Sequence, residues 1–225
     1  MSLSSLVIEY KWMLEVFYAL AITAICMLIV LKTDKFYKLS LHQGIRYFRN
    51  AFFFFGIAFV GRYVFGIFSD LALHSAFIVG FFFEYFLIMA GFFLLYSLIW
   101  KKIESPNETY LTSLFNAKVM VFHGMALVLA LLDKTLQTYY FMFFSQMLIF
   151  AYASVLSYKN YRKNVKHDFP KFYFVATMIG FVAWTINFLA ASYFEWNHGL
   201  LIDVGLMNIM FFLLFLYGVV KVTKK

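Results

Sequence analysis

Cysteine, proline and charge are all scarce in this chain of 225 residues. The one cysteine, Cys26, lies inside an apolar run, so a disulfide framework within the chain and a CxxC redox or zinc site are both excluded. It reads as a lipid-facing or packing residue. The two prolines, Pro106 and Pro170, are expected in loops, which leaves no apolar run with a proline kink. Asp, Glu, Lys and Arg make up only 13% of the residues. No stretch rich in Gly, Ser or Pro divides the chain, and residues 1–225 read as a single domain. HExxH and HxxxH spacings are missing, so a metallohydrolase is the least favoured reading, with no metal ligand or catalytic residue assigned.

What is present is apolar bulk: 64% of the residues are hydrophobic and 23% aromatic, including 32 Phe and 16 Tyr. A water-soluble domain of this size cannot bury that much apolar surface. A membrane-crossing helix needs about 20 mostly apolar residues, and the chain divides into seven such segments, near 12–31, 51–68, 71–100, 117–132, 136–157, 172–194 and 200–220. The fold class expected is therefore an all-α integral membrane protein, a bundle of seven transmembrane helices. The first segment has a single flanking lysine and too long an apolar core for a cleaved signal peptide, so it is expected to remain as a helix.

The formal charge of +8 does not point to nucleic acid, because the basic residues collect in alternate gaps. Residues 32–49 carry Lys32, Lys35, Lys38, Arg46 and Arg49, and residues 158–171 carry Lys159, Arg162, Lys163, Lys166 and Lys171. Lys101 and Lys102 and the C-terminal Lys221, Lys224 and Lys225 continue the alternation, while the gaps near Asp70, Asp133 and Glu195 are nearly free of positive charge. The positive-inside rule then places the N-terminus outside and the C-terminus in the cytoplasm. The sequon at 107–109 would be cytoplasmic and unglycosylated. A plasma membrane is the default location.

Polar side chains inside apolar spans are costly and usually face a protein interior or a wet cavity. Here they are Arg62, Glu84, His123, Gln146, Asn187, Asp203 and Asn208, with Lys118 nearer the cytoplasmic end of its span. At about 1.5 Å per residue, Asp203 lies roughly 5 Å from the outer end, Arg62 and Asn187 roughly 10 Å, and Glu84, His123 and Gln146 about 14–15 Å. Six spans thus contribute a polar group to one outer layer, which points to a cavity open to the outside. Candidate ligand-binding residues are Arg62, Glu84, His123, Gln146, Trp184, Asn187 and Asp203, with Arg62 and Glu84 expected to pair across a short outer loop. Plainer roles stand beside these: the pair can simply lock two helices, and the amides can link helices by hydrogen bonds.

Seven spans, an outside N-terminus and the segment LIDVGLMNIMFF in the last span resemble the microbial rhodopsins. Asp203 and Val204 match that family's pattern, but the position of its Schiff-base lysine is Met207. The resemblance implies a rhodopsin-like architecture with no covalent retinal, hence no cofactor. The SWEET transporters share the topology but depend on prolines that these spans lack.

Three function classes fit. One is a receptor-like or sensory protein that binds a small ligand from outside and signals to a separate cytoplasmic or membrane partner through its basic face. Another is a small-solute or proton-coupled transporter, with Arg62 holding an anionic group and Glu84, His123 or Asp203 carrying protons. The third is an accessory membrane subunit. Besides the lipid bilayer, the partners expected are thus a small ligand and a protein, and not nucleic acid.

Overall fold

The computed structural model describes residues 11–69, 73–103, 114, 117–163, 168–193 and 198–223. These form seven α-helices: α1 Lys11–Ser40, α2 Gln43–Ser69, α3 Leu73–Ile103, α4 Ala117–Leu136, α5 Tyr140–Lys163, α6 Asp168–Tyr193 and α7 His198–Thr223. No strand occurs among the described residues. Among the described residues, six helices are long and apolar enough to cross a membrane. Helix α2 is 27 residues long and carries Arg46, Arg49 and Arg62.

The helices run past the apolar segments into the basic stretches, which corrects the expectation of loops there. Residues 32–40 continue α1 and α2 begins at Gln43, so the connection shrinks to Leu41 and His42. The physical reason is local charge pairing: Asp34 bridges Lys38 one turn on at 3.0 Å and also pairs with Arg49 of α2. Leu41 ends α1 in the left-handed region at φ 51°, with its N–H donating to the Tyr37 carbonyl at 2.8 Å. Likewise α5 continues to Lys163 and Pro170 falls in the first turn of α6, where its missing N–H costs no helical bond. Pro106 and the sequon lie outside the described residues.

Each helix packs on its chain neighbours and α7 returns to α1, while α3 also touches α5 directly. That last contact moves α4 out of the ring to its periphery. The buried positions of α4, Val119, His123, Ala126, Ala130 and Asp133, alternate in steps of four and three, a seam with a period of 3.5. Small residues on that seam let α4 approach closely.

The interior of the ring is filled with aromatic rings. Phe54 of α2 stacks on Phe93 of α3 at 5.2 Å, Phe52 and Phe48 meet Phe215 of α7 at 5.1 and 5.5 Å, and Phe211 meets Phe150 of α5 at 5.3 Å. Edge-to-face and tilted pairs of this kind interlock and leave little free volume. Outward-facing positions are apolar as well, with Phe17, Met27, Val121, Leu148 and Met210 all exposed.

Candidate functional site

The site is built around Glu84, in the middle of α3 and fully buried. Four residues earlier on the same helix face is Gly80, where a Cβ would come within 2.6 Å of the Lys134 ammonium. This notch lets the Lys134 side chain run across α3, and its Nζ reaches Glu84 Oε1 at 2.7 Å. The ammonium also lies 4.7 Å from the centre of the Tyr139 ring. Sequence reading left Lys134 in a loop, but the structure places it in the last turn of α4, where a cation suits the helix dipole. Glu84 Oε2 makes no hydrogen bond among the described residues.

Asp133, next to Lys134, is fully buried and binds the connection to α5 together. Its Oδ1 accepts from the Thr138 hydroxyl at 2.9 Å and the Phe141 N–H at 3.0 Å, and its Oδ2 from the Met142 N–H at 2.6 Å. Two donors that the start of α5 would otherwise leave unpaired are thereby satisfied. Around it α4 ends in a Schellman turn, with Gln137 at φ 53°, the Thr138 N–H on the Asp133 carbonyl at 2.9 Å and the Gln137 N–H on Lys134 at 3.4 Å. Lys134 is held in place by this capped corner.

The Arg62 guanidinium sits 4.6 Å from the centre of the Phe83 ring, on the residue next to Glu84. The structure therefore brings the two expected residues to one locality, and supplies in Lys134 a salt-bridge partner that sequence reading did not consider.

His123 bridges Tyr85 of α3 and the chain before α4. Its Nε2 lies 2.9 Å from the Leu114 carbonyl, which can only accept, so Nε2 carries a proton. Its Nδ1, 2.6 Å from the Tyr85 hydroxyl, is then the acceptor in the neutral ring, with Tyr85 donating. Both Glu84 and Tyr85 of α3 thus hold α4, one at each end of its seam.

The other expected residues are placed apart from this cluster or act within the packing. Gln146 is fully buried and its Nε2 donates to the Leu87 carbonyl at 3.1 Å, in a notch left by Gly91. Asn187 donates to Ala183 of its own helix at 2.9 Å. Trp184 lies among Phe143 and Phe150, with ring centres 6.0 and 6.4 Å away. Asn208 donates to the Tyr18 hydroxyl at 3.1 Å and ties α7 to α1. The Asp203 side chain lies outside the described residues, and Met207, in the position of a rhodopsin lysine, is half-buried.

At the end of the bundle nearest the basic stretches is a cavity of about 490 Å³, lined by residues that include Ser40, His42, Ser97, Asn160 and Tyr173. On its α3–α6 wall, the Ser97 hydroxyl donates to the Leu94 carbonyl at 2.6 Å and accepts from the Tyr173 hydroxyl at 3.0 Å. Among the described residues no three His, Cys, Asp or Glu side chains gather as a metal ion would need.

Fold and site together define an all-helical bundle with six helices long and apolar enough to cross a membrane and a buried charge pair clamping a peripheral helix. Among known proteins, the chain is 28% identical over 190 residues to a protein of Archaeoglobus fulgidus described as uncharacterized, a match covering 77% of each chain. No family model and no solved structure matches the chain.

Proposed function

We propose that this chain is a receptor-like integral membrane protein of seven spans, with its N-terminus outside, which binds a small ligand at the charged cluster of Glu84, Lys134 and Arg62 and signals by displacing α4. The observation that carries the reading is the buried Glu84–Lys134 pair between the ring and a helix held to it by a narrow seam. Glu84 Oε2 is fully buried and has no hydrogen-bond donor among the described residues. A ligand offering N–H or O–H groups gains by meeting that oxygen, and α4 must shift to admit it. The movement is then coupled through α4 and α5 to the basic end, where the 490 Å³ cavity offers a docking surface for a partner.

The aromatic filling of the ring favours a sensor over a transporter, since Phe52, Phe55 and Phe215 occupy the path a solute would follow. A plasma membrane remains the location proposed. The test is a thermal-stability screen of the purified protein against small charged solutes, repeated with Glu84→Gln. A solute that stabilises the wild type and not the variant, and is not taken up into proteoliposomes, supports the reading. Uptake dependent on Glu84 would replace it with transport.

A further inference from the structure

The cavity of about 490 Å³ at the basic end differs in chemistry from the charged cluster. Every helix of the ring contributes to its lining: Thr33 of α1, Phe48 of α2, Ser97 of α3, Ser157 of α5, Tyr173 of α6 and Val222 of α7. Thr33, Phe48, Ser157 and Tyr173 are buried and make its floor, while Ser40, His42 and Asn160 are exposed and make its rim. None of the lining residues is Asp, Glu, Lys or Arg, although the neighbouring stretches are rich in basic residues.

The hydroxyls of this lining have their protons already committed. Thr33 donates to the Ile29 carbonyl at 2.6 Å, Ser97 to the Leu94 carbonyl at 2.6 Å, and Ser157 to the Ser154 carbonyl at 3.0 Å or the Thr177 hydroxyl at 2.8 Å. Tyr173 in turn donates to Ser97 at 3.0 Å. A hydroxyl has one hydrogen and two lone pairs, so Thr33 Oγ1 keeps two acceptor positions and Ser97 Oγ keeps one. Beside them the Tyr173 ring meets Phe48 at 5.7 Å and Phe215 at 5.2 Å, which gives the floor an aromatic surface.

We propose that this cavity binds an uncharged small alcohol or phenol, its hydroxyl donating to Thr33 Oγ1 or Ser97 Oγ and its apolar body lying on Phe48 and Tyr173. A mostly apolar cavity of this size with a few placed polar atoms has the form of a small-molecule site. An ion would lose its hydration there without meeting an opposite charge, and a molecule with no donor would leave the lone pairs unused. The inference does not rest on the reading of Glu84 and Lys134: the small molecule takes the floor, and the exposed rim stays available to a partner.

The test compares 2-naphthol, its methyl ether, which lacks the donor, and the 2-naphthoate anion, by equilibrium dialysis of the full chain in nanodiscs against empty nanodiscs. Saturable binding of one naphthol is expected, roughly fivefold tighter or more than that of the ether, with naphthoate weaker than both. Thr33→Val/Ser97→Ala keeps the shape of the wall and leaves Tyr173 the Leu94 carbonyl, 3.2 Å away. It is expected to lower naphthol to the affinity of the ether and to change the ether by no more than about twofold. Val222→Phe fills the cavity and is expected to weaken both roughly tenfold or more; if that variant does not fold, Ile45→Phe fills the same space. Equal affinity for naphthol and its ether, displacement of naphthol by naphthoate at lower concentration, binding that survives the filled cavity, or no binding beyond that of empty nanodiscs would overturn the proposal. Its failure leaves the Glu84 stability screen untouched.

Discussion

Replacing Lys134 by methionine tests the central claim about the site. Methionine keeps much of the length and apolar stem of the lysine, so the groove over Gly80 stays filled, but the ammonium 2.7 Å from Glu84 Oε1 is lost. Glu84 is fully buried, while the Lys134 side chain is 13% exposed. The stranded carboxylate therefore has no route to solvent, and breaking a buried pair in this way costs about 3–5 kcal/mol. The reverse variant, Glu84→Gln, leaves an ammonium that can lean toward Tyr139 and the surface, and its cost is expected to be smaller, about 1–3 kcal/mol. Lys134→Met combined with Glu84→Gln removes both charges, and the double variant is expected within about 1 kcal/mol of the single Glu84→Gln variant. The assay is equilibrium unfolding in mixed micelles, followed by helix circular dichroism, for all four proteins. A Lys134→Met protein within about 1 kcal/mol of the wild type, or losses that simply add in the double variant, would refute the pairing.

Asp133→Ala removes the acceptor of three hydrogen bonds and leaves the buried Met142 N–H and the half-buried Phe141 N–H at the start of α5 unpaired, a loss of about 2–4 kcal/mol by thermal unfolding. Gly80→Leu puts a side chain where the ammonium lies and is expected to destabilise by about 1–3 kcal/mol, with a smaller further loss when added to Lys134→Ala, which empties the groove. Gln137→Gly relieves a left-handed residue at an exposed helix end and is expected to leave stability unchanged or raise it by up to about 1 kcal/mol. Tyr85→Phe takes the donor from His123 Nδ1 but leaves the Leu114 carbonyl on Nε2, so nitrogen NMR should still find the proton on Nε2; a switch to Nδ1 would contradict the geometry.

The polar layer shows how far sequence reading reaches into the site. Arg62, Glu84 and His123 stood out because each interrupts an apolar run, and the structure sets Arg62 beside Glu84 and His123 on Tyr85, the next residue along α3. Lys134 and Asp133 did not stand out, because a hydropathy window ends the fourth segment at 132 and assigns the residues after it to a loop. One signal was legible: the buried seam of α4 runs 119, 123, 126, 130 in steps of four and three, and its next step is 133, the capping residue beside Lys134. Gln146 and Asn187 were assigned to the same cavity on depth alone. Depth fixes the level of a residue along a helix, not the direction its side chain takes around it, and that direction sends Gln146 to a backbone carbonyl of α3 and Asn187 to its own helix.

The sequence by itself determined that the chain is all-helical, roughly where each helix lies, and that most are apolar enough to cross a membrane. Those properties follow from runs of neighbouring residues, each of which must satisfy its backbone hydrogen bonds within its own helix when water is excluded. Only the tertiary structure decided that α3 meets α5, that α4 is displaced to the rim, and that Glu84 is neutralised by Lys134. These depend on how each helix is rotated about its axis and on a missing Cβ at Gly80, and such relations between distant segments leave no periodic trace in either segment alone.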